Sequence, residues 1–562
     1  MSYDLLIKNA RICDGTGAPI VSGSIAIKDG RIAAIGKIDG DGAAEREIDA
    51  GGLVTAPGFV DIHTHYDAQI AWDRLLTCSC WHGVTTVLMG NCGVGVAPCR
   101  AQDTEVVAWD LVNVEAVPYE VLMDGVSWAW ETFPEYMRKV VEPGIALNTA
   151  FLVPLSALRF YVMGEAATQR GANAQEIARM SELLRESMQA GAFGFSGSLL
   201  PQHIGFQGRP LSSRLTSREE LDAFCAVLKD LGRGVIELAL TCKPGTLSDE
   251  ELELVVHLAE VSDRPVTFIA MIDVPGNEGE CDRTLARVAP YRRKGLKIYP
   301  QTTPRPIQQY YTLREPFLFG SLPSWKAAFN RTAQEQMELY RSAEFRAAFR
   351  EDMKVGAMLF KGQWDALHVV AAEQPDNQRF LNMSIAAIAE QLGAEPLDTL
   401  LDLSLSESLK LGFTMSLINT NPDVVERMIT HPDVLIGLSD AGAHVDQHCD
   451  AGLPTYLLHE YVHKRPSMSL QEGVRRLTSE PADFLGLPNK GRLAVGMDAD
   501  LVVFDPATIR PCDPEWVDDL PGGKRRLVER AEGIAYTIVN GTVLFANNVH
   551  QGEFPGQWAK SV

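Results

Sequence analysis

The segment Gly58-Phe59-Val60-Asp61-Ile62-His63-Thr64-His65-Tyr66-Asp67 constrains this chain more than any other. It is an apolar, strand-like run that ends in two histidines one residue apart. Successive side chains of a strand point to opposite faces, so His63 and His65 project together. Two imidazoles side by side at a strand end suit Zn²⁺ or a similar borderline metal. The preceding Leu53-Val54-Thr55-Ala56 is itself strand-like, and Pro57-Gly58 breaks it, so a new strand starts at Phe59 and ends at the pair. Taken alone, the pair would also fit a solvated turn.

The rest of the chain alternates strand-like and helix-like segments. Eight strand candidates follow one another: Phe59–His63, Thr85–Gly90, Ile145–Leu152, Ala192–Ser196, Val235–Leu240, Val266–Ala270, Lys297–Pro300 and Val434–Leu438. Most lead into helix-like stretches such as Ala174–Gln189 and Ser217–Leu231, the pattern of right-handed βα units. Residues 4–56 and the stretch from Gly491 to about Leu544 hold short alternating strands instead, among them Asp4–Lys8, Gly23–Lys28, Arg31–Ile35, Asp500–Phe504 and Ala535–Val539. Neither block buries a good core alone, so the two pair into one small β-sandwich. The boundaries expected are residues 1–57 with 485–562 for the sandwich and 58–484 for the α/β part. Two insertions interrupt the latter, at about 104–137 and 306–378. Both carry aromatic residues and would overhang the strand ends as substrate walls.

Length and composition set limits on the remainder. A chain of 562 residues with 46% hydrophobic residues can bury a substantial core. Its 51 basic and 73 acidic residues give a net charge of −22, which argues against nucleic-acid or anionic-membrane partners. The opening Met1–Ile7 is already strand-like, and no run of about 18 uncharged apolar residues occurs, so neither a signal peptide nor a membrane span is expected. Ten cysteines without paired spacing read as reduced thiols of a cytoplasmic protein.

The motifs carry a family resemblance. "LVTAPGFVDIHTHYD" resembles the first-strand signature of the amidohydrolase superfamily. His82–Pro98, Gly191–His203 and Val434–Asp446 together resemble its N-acyl-D-amino-acid deacylase (D-aminoacylase) branch, and Gly491–Pro506 resembles the strand that closes the sandwich. The resemblance implies a (β/α)₈ TIM barrel with a small β-sandwich formed from both chain ends, and catalysis at the C-terminal ends of the strands. It also implies that Asp440, ending the eighth strand, contacts the metal and takes the proton of the attacking water, and that Cys92 is a metal thiolate. The fourth strand, Gly191–Ser198, has no lysine to compete for that role.

Departures from the pattern matter equally. The branch places metal-binding histidines at the ends of strands five and six. Here those segments read Glu237–Lys243 and Thr267–Ile272, with no histidine. No clear counterpart of the family's carboxylate-binding arginine appears either, and planar recognition of a carboxylate normally needs one. Other residues fill in. His203 follows strand four, and His444 and His448 follow Asp440, as ligands, orienting groups or substrate hydrogen-bond partners. Glu237 is a further carboxylate on strand five, and Tyr299-Pro300 resembles the family's Tyr-Pro pair, which implies that Tyr299 hydrogen-bonds the scissile carbonyl. Lys243 and Arg305 are the nearest cations and read as surface charges. His82 falls in a turn away from the chemistry.

The reading is a metal-dependent hydrolase with about one tightly held Zn²⁺, or another divalent ion, on His63, His65 and Asp440 with Cys92. Its substrate would be a small molecule, an N-acyl-D-amino acid or a related hydrophobic amide. A cyclic amide, carbamate or lactone, or a metal-poor barrel that only binds a ligand, remain open at this point, as does assembly into a homo-oligomer.

Overall fold

The computed structural model describes residues 2–38, 44–277, 279–314, 316–320, 322–329, 331–356 and 360–561. The fold is α/β with parallel and antiparallel sheets, and the chain forms two compact units. The first comprises Met1–Ile272, Gly279–Arg305 and Pro422–Val562, and the second Asp273–Glu278 with Pro306–Asn421.

In the first unit the chain ends meet in one nine-stranded sheet. Val54–Pro57 lies between Tyr3–Ile12, to which it is parallel, and Leu501–Phe504, to which it is antiparallel, with Val502 opposite Ala56. Ile7, Ile25, Ile27, Leu501 and Ile538 close its core. Gly58 then leaves this sheet for the next strand. A Cβ there would lie 2.2 Å from the Thr85 side chain, so only glycine lets the two backbones approach.

The next strands are all parallel. Phe59–Asp61, Val84–Met89 and Asn148–Phe151 form one sheet, and Val153–Pro154, Gly194–Ser198, Val235–Ala239, Val266–Ile269, Ile298–Thr302 and Leu435–Ile436 form another, in chain order. The Phe193 N–H bonds the Phe151 carbonyl across one junction. At the other, Thr64 bridges Ala441 in parallel and the His65 N–H bonds the Ala441 carbonyl. Val84–Met89 is buried along its whole length, as a strand covered on both faces must be, and this explains its unbroken apolar run. All eight expected strands are present within a few residues. The helices Ala174–Ala190 and Arg218–Leu231 start at Asn173 and Ser217, each in a capping box with a glutamate three residues on.

The insertion expected over 104–137 consists of the helices Thr104–Glu115, Tyr119–Gly125 and Phe133–Val141. The later one extends to Asn421, beyond the expected 378, because the helices Ile385–Leu392 and Pro396–Ser406 and the strand Gly412–Ile418 pack into the second unit. Phe319, Trp325, Tyr340, Phe345, Phe349 and Phe413 form that unit's own core. The insertion was expected to offer Phe317, Phe319, Trp325, Tyr310 and Tyr311 as a substrate wall. Of these, Phe319, Trp325 and Tyr311 are buried among their neighbours, which corrects the expectation for these three, while Tyr310 is half-buried. The Phe317 side chain lies outside the described residues. Trp130 is likewise a core residue, packed on Tyr136 and donating to the Val96 carbonyl.

Candidate metal centre

The C-terminal ends of the parallel strands bring the histidine pair, a thiol and several carboxylates together. His63 and His65 sit just past Asp61, with ring centroids 5.3 Å apart, and their side chains are 0% and 2% exposed. The Ser439 hydroxyl donates to the His63 carbonyl, tying the end of the first strand to the end of the eighth. Asp440 follows, and its Oδ1 lies 3.4 Å from His63 Nε2 and 3.7 Å from His65 Nε2. At 21% exposure, its side chain is the member of this group that reaches open space.

Cys92 enters from the second strand through a tight turn. Gly90 has φ +87°, and a Cβ there would lie 2.2 Å from the Leu152 carbonyl oxygen. Cys92 is also left-handed, at φ 55°. The Glu237 carboxylate accepts the Cys92 N–H at 2.8 Å and anchors this conformation. The Cys92 Sγ then lies 3.6 Å from His63 Nε2. One donor atom from each of His63, His65 and Cys92 falls within 4.8 Å of the others, so the three are able to hold a metal ion.

The electrostatics match a site that expects a cation. Burial pushes the carboxyls of Glu237 up to about 8, Asp67 to about 6 and Glu115 to about 7. Burial likewise raises the Cys92 thiol, with Glu237 and Glu115 adding to the effect. Burial lowers His63 to about 4. It acts in the same direction on His65, but the Glu115 carboxylate and the hydrogen bond to Asp440 prevail and raise it to about 9. Burial opposes the ionisation of Asp440, yet the two histidines hold it well below the usual carboxylate range. Four buried atoms here, His63 Nδ1, His65 Nδ1, Glu115 Oε1 and Glu237 Oε1, have no hydrogen-bond partner. Two imidazoles, a thiol and carboxylates with unsatisfied atoms are a donor set that fits a borderline divalent metal.

Around this group, His203 accepts or donates at Nδ1 to the Ser198 hydroxyl at 2.8 Å. Burial, then the charges of His65 and Arg214, lowers it to about 4. His444 stacks on His448 at 4.9 Å, and burial, then His448, lowers it to about 3. Both rings are near enough to feel Asp440 and His65. His448 Nδ1 in turn faces Asp450 at 3.2 Å.

Two expectations change, those for Tyr299 and Arg305, while Lys243 stays a surface charge. Tyr299 is the second residue of its strand, not the last, and its ring packs on Phe484 under the Arg292 guanidinium, so it does not join the cluster. Arg305 is not a surface charge. Its side chain is only 12% exposed, bonds Glu529 through both terminal nitrogens at 2.8 and 2.9 Å, and meets Asp450 at 2.9 Å. Lys243 is exposed and pairs with Glu280. Sequence reasoning also missed three residues. Glu115 ends the helix Thr104–Glu115 with Oε2 3.4 Å from His65 Nε2, and the Asp67 carboxylate accepts the Gly90 N–H. Arg214 donates to the His203 carbonyl and, among the described residues, forms no ion pair. Asp67 was signalled by its place two residues after His65. Nothing local marked the other two.

The model of the amidohydrolase family matches residues 46–545. An uncharacterised protein of Mycobacterium tuberculosis is 29% identical over 100% of this chain and 95% of its own length. The D-aminoacylase of Alcaligenes xylosoxydans xylosoxydans is 27% identical over 99% of this chain and 97% of its own. Among solved structures, an N-acyl-D-glutamate deacylase from Bordetella bronchiseptica, complexed with zinc and a phosphonate mimic of the tetrahedral intermediate, superposes with a TM-score of 0.69 at 24% identity over 100% of both chains. No helix among the described residues is long and apolar enough to cross a membrane.

Proposed function

This chain belongs to the amidohydrolase family, and from that premise we propose that it hydrolyses the amide bond of an N-acyl-D-amino acid or a related amide at a divalent metal, Zn²⁺ first among them. His63, His65, Cys92 and Asp440 would hold the metal. The two parallel sheets, bonded to each other at Phe151–Phe193 and at Thr64–Ala441, are read as one (β/α)₈ barrel, with the centre at the strand ends where such barrels place their chemistry. The chain ends are read as the accompanying sandwich domain. Both relatives named for deacylation match nearly the whole chain, which supports the substrate class.

When bound, the metal supplies an acidified water and a polarised amide carbonyl. The remaining steps fall to the chain's own groups. Asp440 turns Oδ1 to the two imidazoles, so its other carboxylate oxygen takes the proton from water and returns it to the leaving nitrogen. Gln301, fixed by donating to the Thr267 hydroxyl, lies beside His63. His203 and His444, both kept neutral, are placed to hydrogen-bond the substrate. The hydrophobic-substrate preference expected from the insertions rests on fewer residues, since Phe319, Trp325, Tyr311 and Trp130 are core residues while Tyr310 and Trp128 are half-buried.

The observation that carries the reading is the convergence of His63, His65 and Cys92 on one point beside Asp440. The test is metal analysis of the purified protein together with kcat/KM over N-acyl-D-, N-acyl-L- and carboxamide substrates. Hydrolysis of N-acyl-D-amino acids that chelation abolishes and Zn²⁺ restores is expected. A metal-free protein with no hydrolysis of the panel would sink the reading.

A further inference from the structure

We propose that Glu115 is itself a metal ligand, working with His65 and sharing Asp440, so that the centre has two metal positions. This rests on the metal-dependent reading above and goes beyond its ligand set. The two imidazoles face different partners. His63 Nε2 lies 3.6 Å from Cys92 Sγ and 3.4 Å from Asp440 Oδ1. His65 Nε2 lies 3.4 Å from Glu115 Oε2 and 3.7 Å from the same Asp440 Oδ1. Donors on one tetrahedral zinc, with bonds of about 2.0 Å to nitrogen or oxygen and about 2.3 Å to sulfur, stand about 3.3–3.6 Å apart. Each of the four separations is close to that edge length, and Asp440 Oδ1 is common to both sets.

The burial of Glu115 argues the same way. Its side chain is 4% exposed, and Oε1 has no hydrogen-bond partner. The charges that act on it come from His65, His448, Asp440 and Asp67, two of them carboxylates. A buried carboxylate among other carboxylates is costly unless a cation neutralises it. The helix end is fixed for the purpose: the Glu115 carbonyl accepts the His444 N–H from the loop after Asp440, and Ala116 closes the helix in the left-handed conformation. A ligand from this helix makes the first insertion part of the metal centre.

The competing account is a plain ion pair between Glu115 and a protonated His65, with no metal contact. Co²⁺ titration of the full-length metal-free protein separates the two, because a thiolate bound to Co²⁺ adds a near-ultraviolet charge-transfer band that reports the Cys92 position alone. The wild type is expected to take up two equivalents. In Glu115→Gln, nearly isosteric, the equivalent linked to the thiolate band should keep its affinity, while the other weakens at least about tenfold. Thermal unfolding guards against misfolding: metal-free Glu115→Gln should melt no lower than metal-free wild type, and its stabilisation by saturating Co²⁺ should shrink. Uptake of only one equivalent by the wild type, two unchanged equivalents in the variant, or equal weakening of both would overturn the assignment of Glu115. A wild type that binds no Co²⁺ at all would instead overturn the metal-dependent reading.

Discussion

The Sγ of Cys92 and the Nε2 of His63 stand 3.6 Å apart although 29 residues separate them in the chain. The contact depends on a left-handed turn at Gly90 and Cys92 and on the Glu237 carboxylate that receives the Cys92 N–H. A thiol that burial keeps protonated becomes a good ligand once a metal displaces its proton. Cys92→Ala should therefore weaken metal binding. Thiol reagents should label Cys92 only after chelation, and equal labelling with and without metal would reduce it to a packing residue.

Asp440→Asn is expected to keep the fold and lower kcat by at least about 10²-fold, the lower range for a lost general base, with a smaller change in KM. His63→Ala and His65→Ala should lose metal and activity together. Near-native turnover in Asp440→Asn would contradict the proton transfer assigned to that carboxylate.

Arg214 is the guanidinium beside His203 that lacks an ion-pair partner among the described residues, whereas Arg305 is committed to Glu529 and Asp450. It is the expected anchor of a substrate carboxylate. Hydrogen bonds to charged groups contribute about 1.5–3 kcal/mol, so Arg214→Ala should raise KM about 10- to 100-fold for substrates with a free α-carboxylate. The matching carboxamides should be nearly unaffected, and an equal loss for both series would refute the role.

His82 offers a test of stability away from the centre. Its Nε2 meets the Glu529 carbonyl at 3.0 Å, so that nitrogen carries the proton, and Nδ1 meets the Thr455 hydroxyl at 2.8 Å. Burial lowers it from 6.5 to about 4. Between those values the unfolded chain binds a proton that the folded chain refuses, so stability falls as pH drops through this window. The contribution of this one ring is about 3 kcal/mol once pH 4 is reached. Denaturant unfolding of metal-free protein at pH 7 and pH 4.5 should show a shallower loss for His82→Gln than for wild type. Parallel losses would exclude the ring as the cause.

The sequence by itself determined the eight parallel strands, the joining of the chain ends in one sheet, and the placing of His63, His65, Cys92 and Asp440 at strand ends. These were legible because period-2 alternation, unbroken apolar runs such as Val84–Met89 and turn residues act over a few positions. Only the tertiary structure decided what long-range packing brings together. Glu115 reads as the last residue of an ordinary helix and Arg214 as one of many loop arginines, until folding sets one against His65 and the other against His203. Tyr299 and Arg305 went the other way. A Tyr-Pro pair looked available for substrate and a loop arginine read as a surface charge, and the fold spends them on Phe484 and on an ion-pair network with Glu529 and Asp450. Local pattern fixes which face a side chain takes, but its partner there comes from segments hundreds of residues away, and no periodicity encodes that meeting.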